Sequence, residues 1–118
     1  MYKYYNKNPQ NNFIDDCVIR SISVAEGKTW EEVYEELSDL AKEQGLLFSS
    51  VPFVEEYLDS KYDRVCYHGK LVGDFVEEHP FGIYLITMNS HITCCYYGVI
   101  VDTFDCRNRI MKCCWEVE

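Results

Sequence analysis

The chain has 118 residues, 47% of them hydrophobic and 15% aromatic, with 11 Lys and Arg against 20 Asp and Glu for a formal net charge of −9. That length is one domain, residues 1–118, and the apolar content is enough to fill a core, which excludes wholesale disorder. The acid excess argues against a nucleic-acid or anionic-membrane surface, because both would repel the protein as a whole. Solubility is the ordinary reason for such a charge, and a basic protein partner or mimicry of nucleic acid is compatible with it.

Residues 1 to 14 are polar and Asn/Tyr-rich, with Pro9, and read as an extended arm or loop. A first helix is expected from about Asp16 to Glu26: Asp15 or Asp16 can cap it, Val18, Ile19, Ile22 and Ala25 have helical spacing, and Gly27 ends it. "TWEE" is a capping box, Thr29 with Glu32, opening a second helix whose apolar face is Trp30, Val33, Tyr34, Leu37, Leu40 and Ala41, with its end at Gly45. Ser50 and Pro52 open a third, shorter helix carrying Val54, Tyr57 and Leu58.

After residue 60 the pattern changes. "YDRVCY" reads as a strand and "KLVGDFVEEH" as a short helix closed by Pro80. Then come "GIYLITM", "HITCCYY", "VIVDTF" and "IMKCCWEV", separated by "NS", "YG" and "DCRN" turns. Helices first and an antiparallel meander after them is an α+β layout.

The cysteines, Cys17, Cys66, Cys94, Cys95, Cys106, Cys113 and Cys114, number 7. "MYKYYNKNPQ" lacks the apolar segment of a secretory signal, and no apolar run is long enough to span a bilayer. With an odd count as well, the expectation is a cytoplasmic protein with reduced thiols, in which Cys94 or Cys95 would join the last strand only on oxidation. Adjacent strand residues point to opposite faces, so neither Cys94/Cys95 nor Cys113/Cys114 can put both thiols on one zinc ion without a bulge, and no metal is expected.

Cys17 stands at the first turn of the first helix, where unpaired N–H groups and the positive end of the helix dipole favour a thiolate. Asp15 and Asp16 oppose this, so a histidinium partner is required. His68 in "YHGK" and His79 before Pro80 read as loop residues, whereas His91 opens a strand. A hairpin turn centred on Tyr96 and Tyr97 would set Asp102 opposite His91, close enough to fix the imidazole tautomer and raise its proton affinity. Asp105 competes for that role but reads as a turn cap before Arg107. An oxyanion site needs a side-chain amide besides the nucleophile's own N–H, and "NPQNNF" offers Asn8, Gln10, Asn11 and Asn12. Read alone, Cys17 is a buried structural thiol more often than a nucleophile.

A cysteine at an N-terminal helix start, a later strand-borne histidine and a carboxylate on the next strand resemble the papain-like cysteine peptidase fold. The chain is more closely similar to small bacterial and phage proteins related to C39-like peptidases. The matching pieces are "NP" at 8–9, "DCVIRSIS" at 16–23, "GKTWEEVYEEL" at 27–37, "VGDFVEEHPFGIYLI" at 72–86, "SH" at 90–91 and "VDTFDC" at 101–106. The resemblance implies a minimal papain-like domain, N-terminal helices carrying Cys17 packed on a C-terminal antiparallel sheet carrying His91 and Asp102. It implies Cys17 as nucleophile, His91 as general base, Asp102 as orienting carboxylate, and a peptide or protein substrate, with no cofactor.

The family's oxyanion glutamine falls on Asn11 by spacing, with Gln10 one residue away. Asp16 stands where the family usually has glycine. Cys17 and His91 lie 74 positions apart, which leaves only minimal substrate-binding lobes. The alternative reading is a non-catalytic acidic binding protein of phage or mobile-element origin, an inhibitor of a host defence complex acting through "EEVYEELSDLAKEQ". Nothing in the pattern specifies an oligomer.

Overall fold

The computed structural model describes residues 1–118. Its elements in chain order are β1 (Tyr2–Tyr4), α1 (Cys17–Glu26), α2 (Trp30–Glu43), α3 (Val51–Asp59), β2 (Arg64–Cys66), α4 (Val72–Glu78), β3 (Ile83–Met88), β4 (His91–Tyr96), β5 (Val99–Asp102) and β6 (Met111–Glu116). The α+β class is as the sequence leads one to expect, and β3 to β6 follow the helices, but a strand, β1, precedes them. Helix α1 stops at Gly27, whose φ of 67° lets its N–H turn back to the Ser23 carbonyl. The Thr29–Glu32 capping box forms in both directions, at 3.1 and 3.0 Å. Of the apolar face expected on α2, Val33, Leu37 and Ala41 are buried, while Tyr34 and Leu40 stay exposed.

The sheet order is β1-β5-β4-β3-β6-β2. All neighbours are antiparallel except β1, which pairs parallel to β5 through Tyr2↔Ile100 and Tyr4↔Asp102. The sheet is therefore mixed and not purely antiparallel, and the segment expected to be an extended arm or loop supplies an edge strand. The cause is long-range: β5 would otherwise present a row of open backbone groups. The chain start covers them, and beyond β1 Tyr5 N–H donates to the Asp102 carbonyl at 2.9 Å.

Two apolar layers lie on the two faces of the sheet. On one face α1, α2 and α3 pack Ile19, Ile22, Leu37 and Leu58 against Leu85, Cys94 and Trp115. On the other, α4 packs Val72, Phe75 and Val76 against Ile86, Cys95 and Cys114. Cys94 and Cys95 thus belong to opposite cores, as do Cys113 and Cys114, in keeping with the alternation of strand side chains.

One expectation about the thiols fails. Cys66 on edge strand β2 faces Cys113 on β6 in register, and the two form a disulfide with Cα atoms 3.9 Å apart. Cys17, Cys94, Cys95, Cys106 and Cys114 are free. The partner of the last strand is β2 and not β4, because β3 lies between β4 and β6.

The β4–β5 hairpin also differs from expectation. Its register is Tyr96↔Val99, Cys95↔Ile100 and Cys94↔Val101, so the turn is centred on Tyr97 and Gly98 and not on Tyr96 and Tyr97. Both turn residues have positive φ, 48° and 76°, as a two-residue turn matching the strand twist requires. Extending the register one step aligns Asp102 with Thr93, which leaves His91 on the diagonal.

Two outcomes test this frame. Gly98→Ala should cost about 1–2 kcal/mol in urea denaturation, since alanine is strained at that φ and its Cβ would meet the Pro80 Cα at 3.2 Å. Reduction should lower stability by about 2–4 kcal/mol, because the disulfide closes a loop with a sequence separation of 47; intact-mass measurement after alkylation without reductant should find five free thiols.

Candidate active site

Helix α1 begins at Cys17, preceded by the segment that holds its start in place. Asn6 and Asn8 are buried and fold the arm: Asn8 Oδ1 accepts from the backbone N–H groups of Gln10 and Asn12 at 2.9 and 3.4 Å, and Asn6 Nδ2 donates to the Asn12 carbonyl at 3.1 Å. Asp16 occupies the N-cap position but makes no cap hydrogen bond. Its buried carboxylate instead accepts from Arg20 Nε at 2.7 Å, Trp30 Nε1 at 3.0 Å and Asn8 Nδ2 at 3.2 Å. Two consequences follow. The first-turn N–H groups beside Cys17 keep their donor capacity, and the charge of Asp16 is compensated by a guanidinium instead of bearing on the thiol.

His91 Nε2 lies 2.7 Å from Asp102 Oδ2, and both side chains are nearly buried, at 7% and 3% exposure. The diagonal placement permits this because an imidazole spans the extra distance between non-opposed strand residues. With Nε2 on Asp102, Nδ1 is the nitrogen left for Cys17. Burial alone would push the His91 pKa down, but the hydrogen bonds and charges of Asp102 and Cys17 outweigh it and hold it up at about 9. Asp102 shows the complementary balance: burial would raise its carboxyl, and His91 with the Thr103 N–H keeps it below the ordinary carboxylate range. Phe104 covers the pair, its ring centroid 4.7 Å from that of His91.

Cys106 brings its sulfur to within 4.8 Å of ligand-capable atoms of His91 and Asp102. These donors do not suit a metal: Nε2 and Oδ2 are joined to each other, Oδ1 is taken by Arg20 at 3.0 Å, and burial pushes the Cys106 thiol up to about 11. The set reads as a hydrogen-bonded His–Asp pair beside a neutral thiol.

Cys17 and His91 together line two cavities. One, of about 280 Å³, is bounded by Asn12, Phe13, Ile14 and Phe104; the other, of about 350 Å³, by Val18, Val51, Val54, Met88 and Ile92, with Asp15, Glu55 and Lys112 supplying charge. The thiol is thus half-buried but accessible from two sides. Among the candidate amides, Asn12 lines the first cavity, Asn8 is occupied with the loop and with Asp16, and Gln10 and Asn11 are exposed without lining either cavity.

The structure brings Cys17, His91 and Asp102 together. His68 is exposed, whereas His79 is half-buried, stacked on Phe75 at 3.9 Å with Nδ1 on the Phe75 carbonyl, and so is a packing residue. Asp105 accepts from the Arg107 N–H at 3.1 Å, the turn cap expected of it. Sequence reasoning missed Arg20 and Phe104. Arg20 carried a legible signal, since Asp16 and Arg20 are four apart at a helix start; Phe104 carried none. No helix is long and apolar enough to cross a membrane. No family model matches the chain, and no curated protein or solved structure is significantly similar to it.

The raised His91 pKa makes the fold sensitive to alkali. A group that binds its proton more tightly when folded stabilises fully below its unfolded value of 6.5, and loses that contribution as pH rises through about 9. Urea denaturation should therefore show stability falling between pH 7 and pH 10 by up to about 3 kcal/mol, and His91→Gln should flatten that loss. Asp102 works in the opposite sense, contributing stability at neutral pH that disappears as acid protonates its depressed carboxyl.

Proposed function

We propose that the protein is a small cysteine hydrolase of the papain-like, C39-like kind, cleaving a peptide, isopeptide or related amide bond. The observation that carries this reading is the Asp102–His91 contact of 2.7 Å beside an accessible helix-start thiol. The Cys17 thiolate attacks the substrate carbonyl carbon, and the carbon–oxygen π pair moves to oxygen as a tetrahedral oxyanion. The Cys17 N–H at the start of α1 donates to that oxyanion, joined by an upstream amide: Asn12 by position, Asn11 or Gln10 by the resemblance.

Collapse breaks the C–N bond, and the imidazolium of His91 gives its proton to the departing amine, leaving a thioester on Cys17. His91, now neutral, takes a proton from water as it adds to the thioester, and release of the carboxylic acid restores the thiolate–imidazolium pair. Asp102 holds the ring with Nδ1 toward the sulfur and stabilises its charged form.

A second reading, binding of a basic partner by the acidic helix, is favoured by the exposure of Glu31 and Glu35 on α2. The face is smaller than composition suggests, because Glu32 closes the capping box and Glu36 is held by Lys28 at 3.1 Å and Tyr57 at 2.8 Å.

Iodoacetamide decides between them. Cys17 should be alkylated well ahead of Cys94, Cys95, Cys106 and Cys114, which are buried and whose thiols burial pushes up. His91→Ala should cut the Cys17 rate at neutral pH about tenfold or more. Slow, uniform labelling would defeat the hydrolase reading. Capture of a basic protein that survives Cys17→Ala, weakens with salt and is lost on charge reversal of Glu31, Glu32, Glu35 and Glu36 would establish the other.

A further inference from the structure

Arg20 stands one turn into α1, three residues past Cys17, and is nearly buried at 11% exposure. Its Nε donates to Asp16 Oδ1 at 2.7 Å, and its Nη1 donates to Asp102 Oδ1 at 3.0 Å and to Thr103 Oγ1 at 3.1 Å. The other oxygen of Asp102 holds His91. A continuous polar chain therefore runs Trp30–Asp16–Arg20–Asp102–His91, with charges alternating in sign from Asp16 onward. It crosses from the helix that carries the thiol to the strands that carry the base, between residues 82 apart in sequence.

We propose that Arg20 is a positioning residue of the Cys17–His91 pair, acting through Asp102 to orient the imidazole and to set the pH range over which the thiolate–imidazolium form exists. The inference rests on the reading of Cys17 and His91 as nucleophile and base. Asp16 and Asp102 are both buried, and a buried carboxylate without a compensating charge is expensive. With Arg20 present each has a cation, and His91 is free to lose its proton to a leaving group. Without Arg20, His91 would be the one cation shared by two carboxylates, and it would hold its proton more tightly.

The other charges around His91 do not duplicate this role. From α1's approach come the Cys17 thiol itself and Asp15, which is exposed. From the segment after β5 comes Cys106, neutral at physiological pH. Glu55 on α3 and Lys112 on β6 share only the wall of the 350 Å³ cavity and are of opposite sign; Glu55 is half-buried and paired with Arg64 at 3.2 Å, and Lys112 is exposed. Lys7 lines a small cavity with Arg20 and Asp102 but makes no ion pair with either carboxylate.

The test compares three variants by the pH dependence of Cys17 alkylation with iodoacetamide and by NMR titration of the His91 ring. Removing a cation raises every nearby proton affinity, so Arg20→Gln should move both limbs of the alkylation profile and the His91 midpoint upward, by about one pH unit or more. Arg20→Lys, which keeps the charge, should stay close to the parent. Asp16→Asn deletes an anion from the same chain and should move both downward. That last variant carries the test if Arg20→Gln does not fold.

A profile and His91 midpoint unmoved by Arg20→Gln in a folded protein would overturn the proposal, and so would an unmoved or upward shift in Asp16→Asn. If Cys17 of the parent shows no preferential labelling, the hydrolase reading fails by itself, and the His91 titration still decides whether Arg20 tunes the imidazole.

Discussion

A buried carboxylate organises this protein. Asp102 ends β5 inside the protein with 3% of its side chain exposed, and it is kept ionised there by His91 on one oxygen and Arg20 on the other. Leaving such a charge unpaired would cost several kcal/mol, so the chain must deliver both cations to it. Delivering Arg20 fixes where α1 crosses the sheet, and Cys17 comes with it because it lies three residues earlier on the same helix. Delivering His91 fixes the start of β4. The juxtaposition of thiol and imidazole is thus a by-product of satisfying one anion, and the same contacts that hold the fold together hold the site.

The arm before α1 is part of the same arrangement. Asp16 would ordinarily spend its carboxylate on the helix's own first-turn N–H groups. Here Asn8, Trp30 and Arg20 draw it away, and those N–H groups are left without a side-chain cap. The two buried asparagines of the arm shape that loop, and β1 anchors its start to β5. A segment that composition presents as polar and loosely ordered is therefore built into the site from both ends.

What could be read from the sequence was local. Gly27 as a stop, the Thr29–Glu32 box and the alternation that separates Cys94 from Cys95 depend on neighbours a few residues away, and each appears in the structure as expected. What could not be read depended on distant partners. The pairing of Tyr2–Tyr4 with β5 and the Cys66–Cys113 bond each join segments remote in sequence. The hairpin turn lies one residue beyond the position the sequence suggests because Tyr97 adopts a positive φ of 48°, a conformation a tyrosine seldom takes. The His91–Asp102 contact forms in the observed register too, since the long imidazole spans the diagonal to the short carboxylate.

That tolerance bears on how a small chain can hold a thiol, an imidazole and a carboxylate together at all. The cleft walls come from short pieces, Phe13 and Ile14 of the arm, Val51 and Val54 of α3 and Phe104 after β5, and none is a lobe in its own right. Rigidity has to come from elsewhere. One sheet edge is secured by the parallel strand that covers β5, next to the polar chain, and the other by the disulfide that staples three-residue β2 to β6. Between them the two cores lock the central strands from both faces. The geometry around Asp102 is therefore held by the sheet and by the polar chain, while Phe13, Ile14 and Phe104 add wall to the cavity from segments outside the regular elements.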